Sequence, residues 1–245
     1  MRNLDRRGFL RLTTAALAGM AAPFSASARE ESPGSGLKVG IIGSGRIGGT
    51  LGRLWAQAGH PVLFSSRHPE QLQSLAAEAG PLARAGTPQE AAAFGDAVLI
   101  AVPYRALPDV GRECGRELAG KVVLDANNAV AARDGEAMVA DVRQRGIGTV
   151  SADYLPGVRL VRAFNTLNFA VLAREAHPSG GRVAIPLAGD DQEALAVASG
   201  LVRDAGFDPV VVGALKTANL FAMGGPLYGL VVTADEFKSR LESLK

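Results

Sequence analysis

From residue 37 onward, short apolar runs alternate with stretches whose apolar positions recur at helical spacing. The runs at 37–42, 62–66, 97–102, 122–125, 160–164, 183–188 and 209–212 read as strands. Helical composition falls at 50–58, 69–79, 107–118, 169–175 and 192–205. Residues 97–102, Ala-Val-Leu-Ile-Ala-Val, carry no polar position at all, as a strand covered on both sheet faces requires. Strands alternating with helices predict an α/β fold, a doubly wound and mainly parallel sheet with right-handed crossovers. Two parts are expected, a main domain over 37–167 and a small C-terminal α/β extension over 168–245.

The first 28 residues do not fit this alternation. Arg6-Arg7-Gly8-Phe9-Leu10-Arg11 precedes an apolar stretch that ends in the small residues Ala26-Ser27-Ala28. A charged start, a short apolar run and a small-residue end read as a secretory signal, here cleaved after Ala28. The paired arginines before x-Phe-Leu resemble a twin-arginine signal. That likeness implies recognition by the twin-arginine export machinery, export in the folded state, and a periplasmic location. Residues 29–36, rich in Ser, Gly and charge, read as a linker.

Charge and cysteine usage narrow the chemistry. The chain carries a net charge of +2, with four arginines against one aspartate in residues 1–28 and near-balance elsewhere. The basicity is therefore partly that of the N-terminus, and no nucleic-acid footprint is expected. One cysteine, Cys114, excludes an intrachain disulfide, and His60, His68 and His177 lack metal-ligand spacing, so no metal site is expected. Cys114 reads as a small buried residue. His60 reads as a helix-end residue near carbonyl groups, and His68 as solvated or as lying against a bound nucleotide.

Gly43-Ser44-Gly45-Arg46-Ile47-Gly48 is G-x-G-x-x-G, directly after a predicted strand and directly before a predicted helix. In that setting the first glycine permits a tight turn, the second the close approach of a pyrophosphate, and the third close helix–strand packing. An NAD-preferring site carries an acid about 20 residues further on. Here the second strand ends Ser65-Ser66-Arg67, with no acid. A guanidinium and two hydroxyls suit a ribose 2′-phosphate, so the expected cofactor is NADP(H). Val102-Pro103-Tyr104 and Asp125-Ala126-Asn127-Asn128 leave later strands where a dinucleotide crosses the sheet. Asn127 and Asn128 there hold ribose or carboxamide groups, or cap the following turn. Tyr104 is a candidate proton donor, with a packing or phosphate-contact role as the alternative.

With Ala101-Val102-Pro103-Tyr104, Arg162-Ala163-Phe164-Asn165-Thr166 and Ala188-Gly189-Asp190-Asp191, these motifs resemble the F-420-dependent (deazaflavin) NADP oxidoreductases over about residues 37–215. The set is also similar to the oxidoreductase domain of metalloreductases that pass NADPH electrons through flavin. The resemblance implies a Rossmann domain in which Ser44 to Ile47 meet the pyrophosphate and Ser66 and Arg67 the 2′-phosphate. It places Val102 and Ala163 by the nicotinamide, Tyr104, Asn165 and Thr166 on the substrate side, and Gly189-Asp190-Asp191 in a structural, helix-capping turn. The implied reaction is hydride transfer to a small redox acceptor, either deazaflavin F-420 or a flavin, in a chain that pairs as a homodimer. The export signal and the helix-breaking Gly224-Gly225-Pro226 depart from the family pattern. Two other readings stand beside it, an exported NADP-binding module without turnover and a small-substrate dehydrogenase. The second is disfavoured because Lys216 and Asn219 are three residues apart where β-hydroxyacid dehydrogenases place them four apart.

Overall fold

The computed structural model describes residues 36–176 and 180–244. The expected signal peptide, nearly all of the linker and His177 lie outside them. The chain first lays down β1 (Val39–Ile42), α1 (Arg46–Gln57), β2 (Val62–Ser65), α2 (Gln73–Ala79) and β3 (Ala83–Gly86). It continues through α3 (Pro88–Phe94), β4 (Ala97–Ile100), α4 (Leu107–Leu118) and β5 (Val122–Asp125). Three helices follow, α5 (Ala131–Asp134), α6 (Glu136–Arg145) and α7 (Ile147–Tyr154), before β6 (Arg159–Arg162) and α8 (Phe169–Glu175). The last elements are β7 (Ala184–Gly189), α9 (Gln192–Asp204), β8 (Asp208–Gly213) and α10 (Ala234–Glu242).

The strands form one sheet in the order β3-β2-β1-β4-β5-β6-β7-β8. Its first six follow the doubly wound dinucleotide-binding order, with the strand sequence reversing between β1 and β4. All pairings are parallel except β6–β7, where Val161 opposes Gly189 and Arg162 opposes Ala188. Among the described residues, no helix is long and apolar enough to cross a membrane.

Each face of the sheet carries its own core. Val39, Ile41, Phe64, Leu99 and Val161 pack with Leu51 and Trp55 of α1 and with Leu201 of α9. Ile42, Leu63, Val98, Ile100 and Val123 pack with Leu107, Cys114 and Leu118 of α4 on the other side. Strands covered on both faces favour apolar residues on each side, and β1, β2, β4 and β5 are buried throughout, with only the strand-end Ser65 and Asp125 polar. Trp55 closes the first core, its indole N–H donating to the Leu201 carbonyl at 2.8 Å. Its ring meets Phe164 edge-on at 5.9 Å.

Polar clasps fix the ends. The Lys121 ammonium donates to the carbonyls of Ala92, Ala93 and Gly95 at 2.7, 3.0 and 2.7 Å, neutralising the negative end of α3. The His60 ring contacts the Leu37 carbonyl at 2.9 Å and the Asp204 carboxylate at 3.0 Å, so it serves architecture, as its helix-end position suggested. Asp191 accepts from Ala194 N at 3.0 Å and caps α9, the structural role expected of that turn.

Candidate functional site

The parallel strands aim the carboxyl ends of β1, β2, β4, β5 and β6 at one rim of the sheet, and two clefts open there. The first, about 680 Å³, is lined by Gly43, Ser44, Gly45, Ser66, Arg67 and Arg105 among others. The second, about 410 Å³, is lined by Arg46, Ile47, Asn127, Phe164, Asn165 and Met223 among others. Ala101, Val102 and Pro103 line both and join them across the gap between β1 and β4.

The glycine turn is built as its spacing requires. Gly43 sits at φ +95°, and a Cβ there would lie 2.5 Å from the Ala101 carbonyl. A Cβ on Gly48 would lie 2.3 Å from the Gly43 carbonyl, so α1 packs directly on the turn. A Cβ on Gly45 would meet nothing within 4 Å, because its open side faces the cleft rim. Gly43 N and Ser44 N donate to the Ser65 carbonyl at 3.3 and 3.1 Å. Ser44 Oγ in turn accepts from Ser65 N at 2.8 Å, latching the turn to the end of β2. Gly45 offers no side chain to cap α1, so the leading N–H groups of that helix remain available to an anion.

Two predicted site residues are spent elsewhere. The Ser65 hydroxyl is fully buried and donates to the Ile41 carbonyl at 2.6 Å, which removes it from the 2′-phosphate position. Tyr104 is likewise fully buried, its hydroxyl 3.1 Å from Ser151 Oγ on α7. Burial holds its phenol protonated well above the ordinary tyrosine range. Its ring belongs to the core beside α4, so it is corrected from substrate contact and proton donor to packing residue. Ser66 and Arg67 do line the first cleft, and Arg67 pairs with no carboxylate among the described residues. Ala163 is buried beneath the second cleft, its N–H bonded to the Asp125 carbonyl at 3.2 Å. Thr166 is buried without a partner for Oγ1 and does not line the cleft, whereas Asn165 does.

Sequence reasoning missed what holds the second cleft. Asp125 and Arg162, directly opposed in β5 and β6, are both fully buried and in contact through Oδ2 and Nη1, in poor alignment for a hydrogen bond. Asp125 Oδ1 accepts from Asn127 N at 2.9 Å, and Arg162 Nη2 donates to the Asn127 carbonyl. Asn127 Oδ1 then accepts from Val102 N at 2.8 Å. Phe164, which follows β6 by two residues, takes φ +59°, a left-handed conformation that is costly for an aromatic residue. The edge contacts of its ring with Trp55 and Phe207 hold it there. Arg105, on the wall of the first cleft, is a further cation that no motif marks, and its guanidinium donates to the Arg133 carbonyl. Cys114 also reaches this wall. Burial, with Glu113 and Glu117 nearby, pushes its thiol up to about 11, so it stays a protonated packing residue.

Residues 38–129, which contain the glycine turn, β2 and the first strand-end loops, match the family described as NADP oxidoreductase, coenzyme F420-dependent. A hypothetical protein from Sinorhizobium meliloti is 30% identical, covering 81% of this chain and 96% of its own, with a TM-score of 0.71. The family match is to the dinucleotide-binding region. That region is accordingly similar to that of NAD(P)-dependent oxidoreductases. A putative F420-dependent NADP-reductase from Arthrobacter sp. FB24 shares the fold, with a TM-score of 0.64 and 23% identity over 75% of this chain and 87% of that one. Metalloreductase STEAP3 of Rattus norvegicus is 29% identical over 192 residues, 77% of this chain. The chain spans only 36% of that metalloreductase. Within the family frame, the open turn at Gly45 and the acid-free end of β2 are features of this chain's own cleft that fit a phosphorylated dinucleotide.

Proposed function

We propose that this chain transfers a hydride between NADP(H) and a planar redox acceptor, deazaflavin F-420 or a flavin. The observation that carries the reading is the pair of joined clefts, one with Arg67 and the open glycine turn, the other without a carboxylate, imidazole or thiol in its lining. Among the described residues lining the second cleft there is no Asp, Glu, His or Cys, and Tyr228 is its one hydroxyl-bearing side chain. Asp109 and Glu113 do line the first cleft, but from α4 and not from the end of β2.

In this reading the α1 N-terminus and Ser44 to Ile47 hold the pyrophosphate, while Ser66 and Arg67 take the 2′-phosphate. Val102 and Pro103 carry the dinucleotide from one cleft to the other. When bound, the dihydronicotinamide supplies a hydride at C4, and Tyr228 is the cleft's own group able to give the acceptor a proton. The protein's work is to position the two rings and shield their contact from water. That work suits the apolar patch of Ile47, Val102, Phe164, Leu167 and Met223. The sequence of residues 1–28 supports export of the folded chain to the periplasm, and this part of the reading rests on that pattern alone.

The test of cofactor choice is Arg67→Ala, read by equilibrium binding. Loss of a charge-assisted contact should weaken NADPH by roughly ten- to a hundredfold and leave NADH nearly unchanged. Equal losses for both nucleotides would make the 2′-phosphate assignment wrong. For the acceptor, NADPH oxidation is followed with F-420 and FMN in parallel. Turnover with either identifies it, whereas tight NADPH binding without turnover points to the binding-module alternative.

A further inference from the structure

We propose that a third cavity, between α6 and the turn at 222–225, binds a small apolar anion, an alkyl or aryl body that ends in a carboxylate. The cavity holds about 450 Å³, within the range of small-molecule sites. The inference stands apart from the NADP reading above and does not depend on it.

The first wall is α6. Val139, Val142 and Arg143 stand at i, i+3 and i+4, so they share one side of the helix, and all three line the cavity. α6 buries none of its residues, and its two valines are left half-buried with room for further apolar contact. The facing wall runs from Ala222 to Gly225, in the segment that departs from the family pattern. Gly225 is required there, because a Cβ would lie 2.2 Å from the Asn219 carbonyl. Met223 in this wall is 48% exposed, a large apolar side chain that the fold leaves uncovered.

The polar groups set the charge of the occupant. Asn128 and Asn219 supply the side-chain acceptors of the lining, and both are taken. Asn128 Oδ1 accepts from Met223 N at 3.2 Å and from Asn165 Nδ2 at 3.4 Å. Asn219 Oδ1 accepts from Ile147 N at 2.9 Å. What the side chains leave over are donors, Asn219 Nδ2 and the Arg143 guanidinium. Arg143 is the one charged residue of the lining. Asp141 on the same helix and Asp153 on α7 both pair with Arg145, so neither neutralises it. An apolar body with one acidic head meets this set, with its carboxylate on Arg143. An amine would bring like charge to the guanidinium, and an alcohol would leave it without a counter-charge. Asn128 and Met223 also line the second cleft, and the bond between them makes them the partition between the two cavities. The anion therefore sits beside that cleft without entering it.

The experiment is calorimetric titration of the full chain with 4-phenylbutanoate, 4-phenylbutanol and 4-phenylbutylamine. The acid should bind with a Kd of about 1 mM or tighter. It should bind roughly tenfold more tightly than the alcohol, with the amine weaker still. Arg143→Gln should erase the preference and leave the alcohol within about twofold of its wild-type affinity. Val139→Asn should weaken acid and alcohol alike. An unchanged melting temperature reports an intact fold in each variant, and if Val139→Asn melts early, Arg143→Gln decides. A wild type that binds acid and alcohol equally, or neither, overturns the proposal, as does a preference that survives Arg143→Gln. Displacement of the acid by NADP+ would put it in a nucleotide cleft and overturn the proposal as well.

Discussion

Asp125 and Arg162 bury two full charges against each other beneath a cofactor cleft, where an apolar pair would fill the space at lower desolvation cost. Their return is orientation, since between them they fix both ends of the Asn127 peptide. Arg162→Met should cost about 3–5 kcal/mol in urea unfolding, because it leaves a buried carboxylate alone. The double variant Asp125→Leu/Arg162→Met should recover much of that stability yet bind NADP+ less tightly than wild type. If recovery of stability restores affinity in full, the pair has no positioning role. Phe164→Ala should cost about 3–5 kcal/mol in the same assay, through the cavity it leaves beside Trp55 and Phe207. These residues mark the limit of sequence reading at this scale. Gly43, Gly45, Gly48 and Arg67 announce themselves by spacing and by a missing acid. A buried ion pair 37 residues apart in the chain becomes visible only when β5 and β6 lie side by side in register.

At the scale of elements, continuous apolar runs predicted the buried strands closely, and β5, α4 and α8 fall at the expected bounds. The misses have physical causes. β3, Ala-Arg-Ala-Gly, is an edge strand with little to bury and so has no apolar run. α6 buries none of its residues and carries no strong apolar face, and glycines at positive φ bracket it at Gly135 and Gly146. α1 begins at Arg46 and not near residue 50, because Gly48 and Gly49, poor helix formers, hide its first turn. The antiparallel entry of β7 was illegible because hydrophobic period carries no strand direction. Helix caps offer a check at this scale. Thr87 and Glu90 form a reciprocal capping box on α3, and Thr87→Ala should lower stability by about 1 kcal/mol in denaturant titration.

On the scale of the whole molecule, ion pairing sets the acid limit. The Arg159 guanidinium, with the Ala194 N–H behind it, holds the Asp191 carboxyl far below the usual carboxylate range. A depressed folded pKa contributes stability above the unfolded value of about 3.9, and loses it as pH falls through the folded one. Melting temperature should therefore fall on acidification below about pH 4, and Asp191→Asn should flatten that dependence. Ligand linkage works in the other direction. NADPH at a hundred times its dissociation constant should add about 2.7 kcal/mol, seen as a higher melting temperature, and NADH at equal concentration should add much less.

The clasp of His60 on Leu37 and Asp204 has a bearing on how the molecule is handled. It secures the start of β1 at the pole of the sheet opposite the clefts, since every strand that lines them ends at the other rim. Residues 36 and 37 thus enter the sheet at the rim opposite the clefts. Substitution at His60 therefore loosens the entry of β1 without touching a residue that lines either cleft.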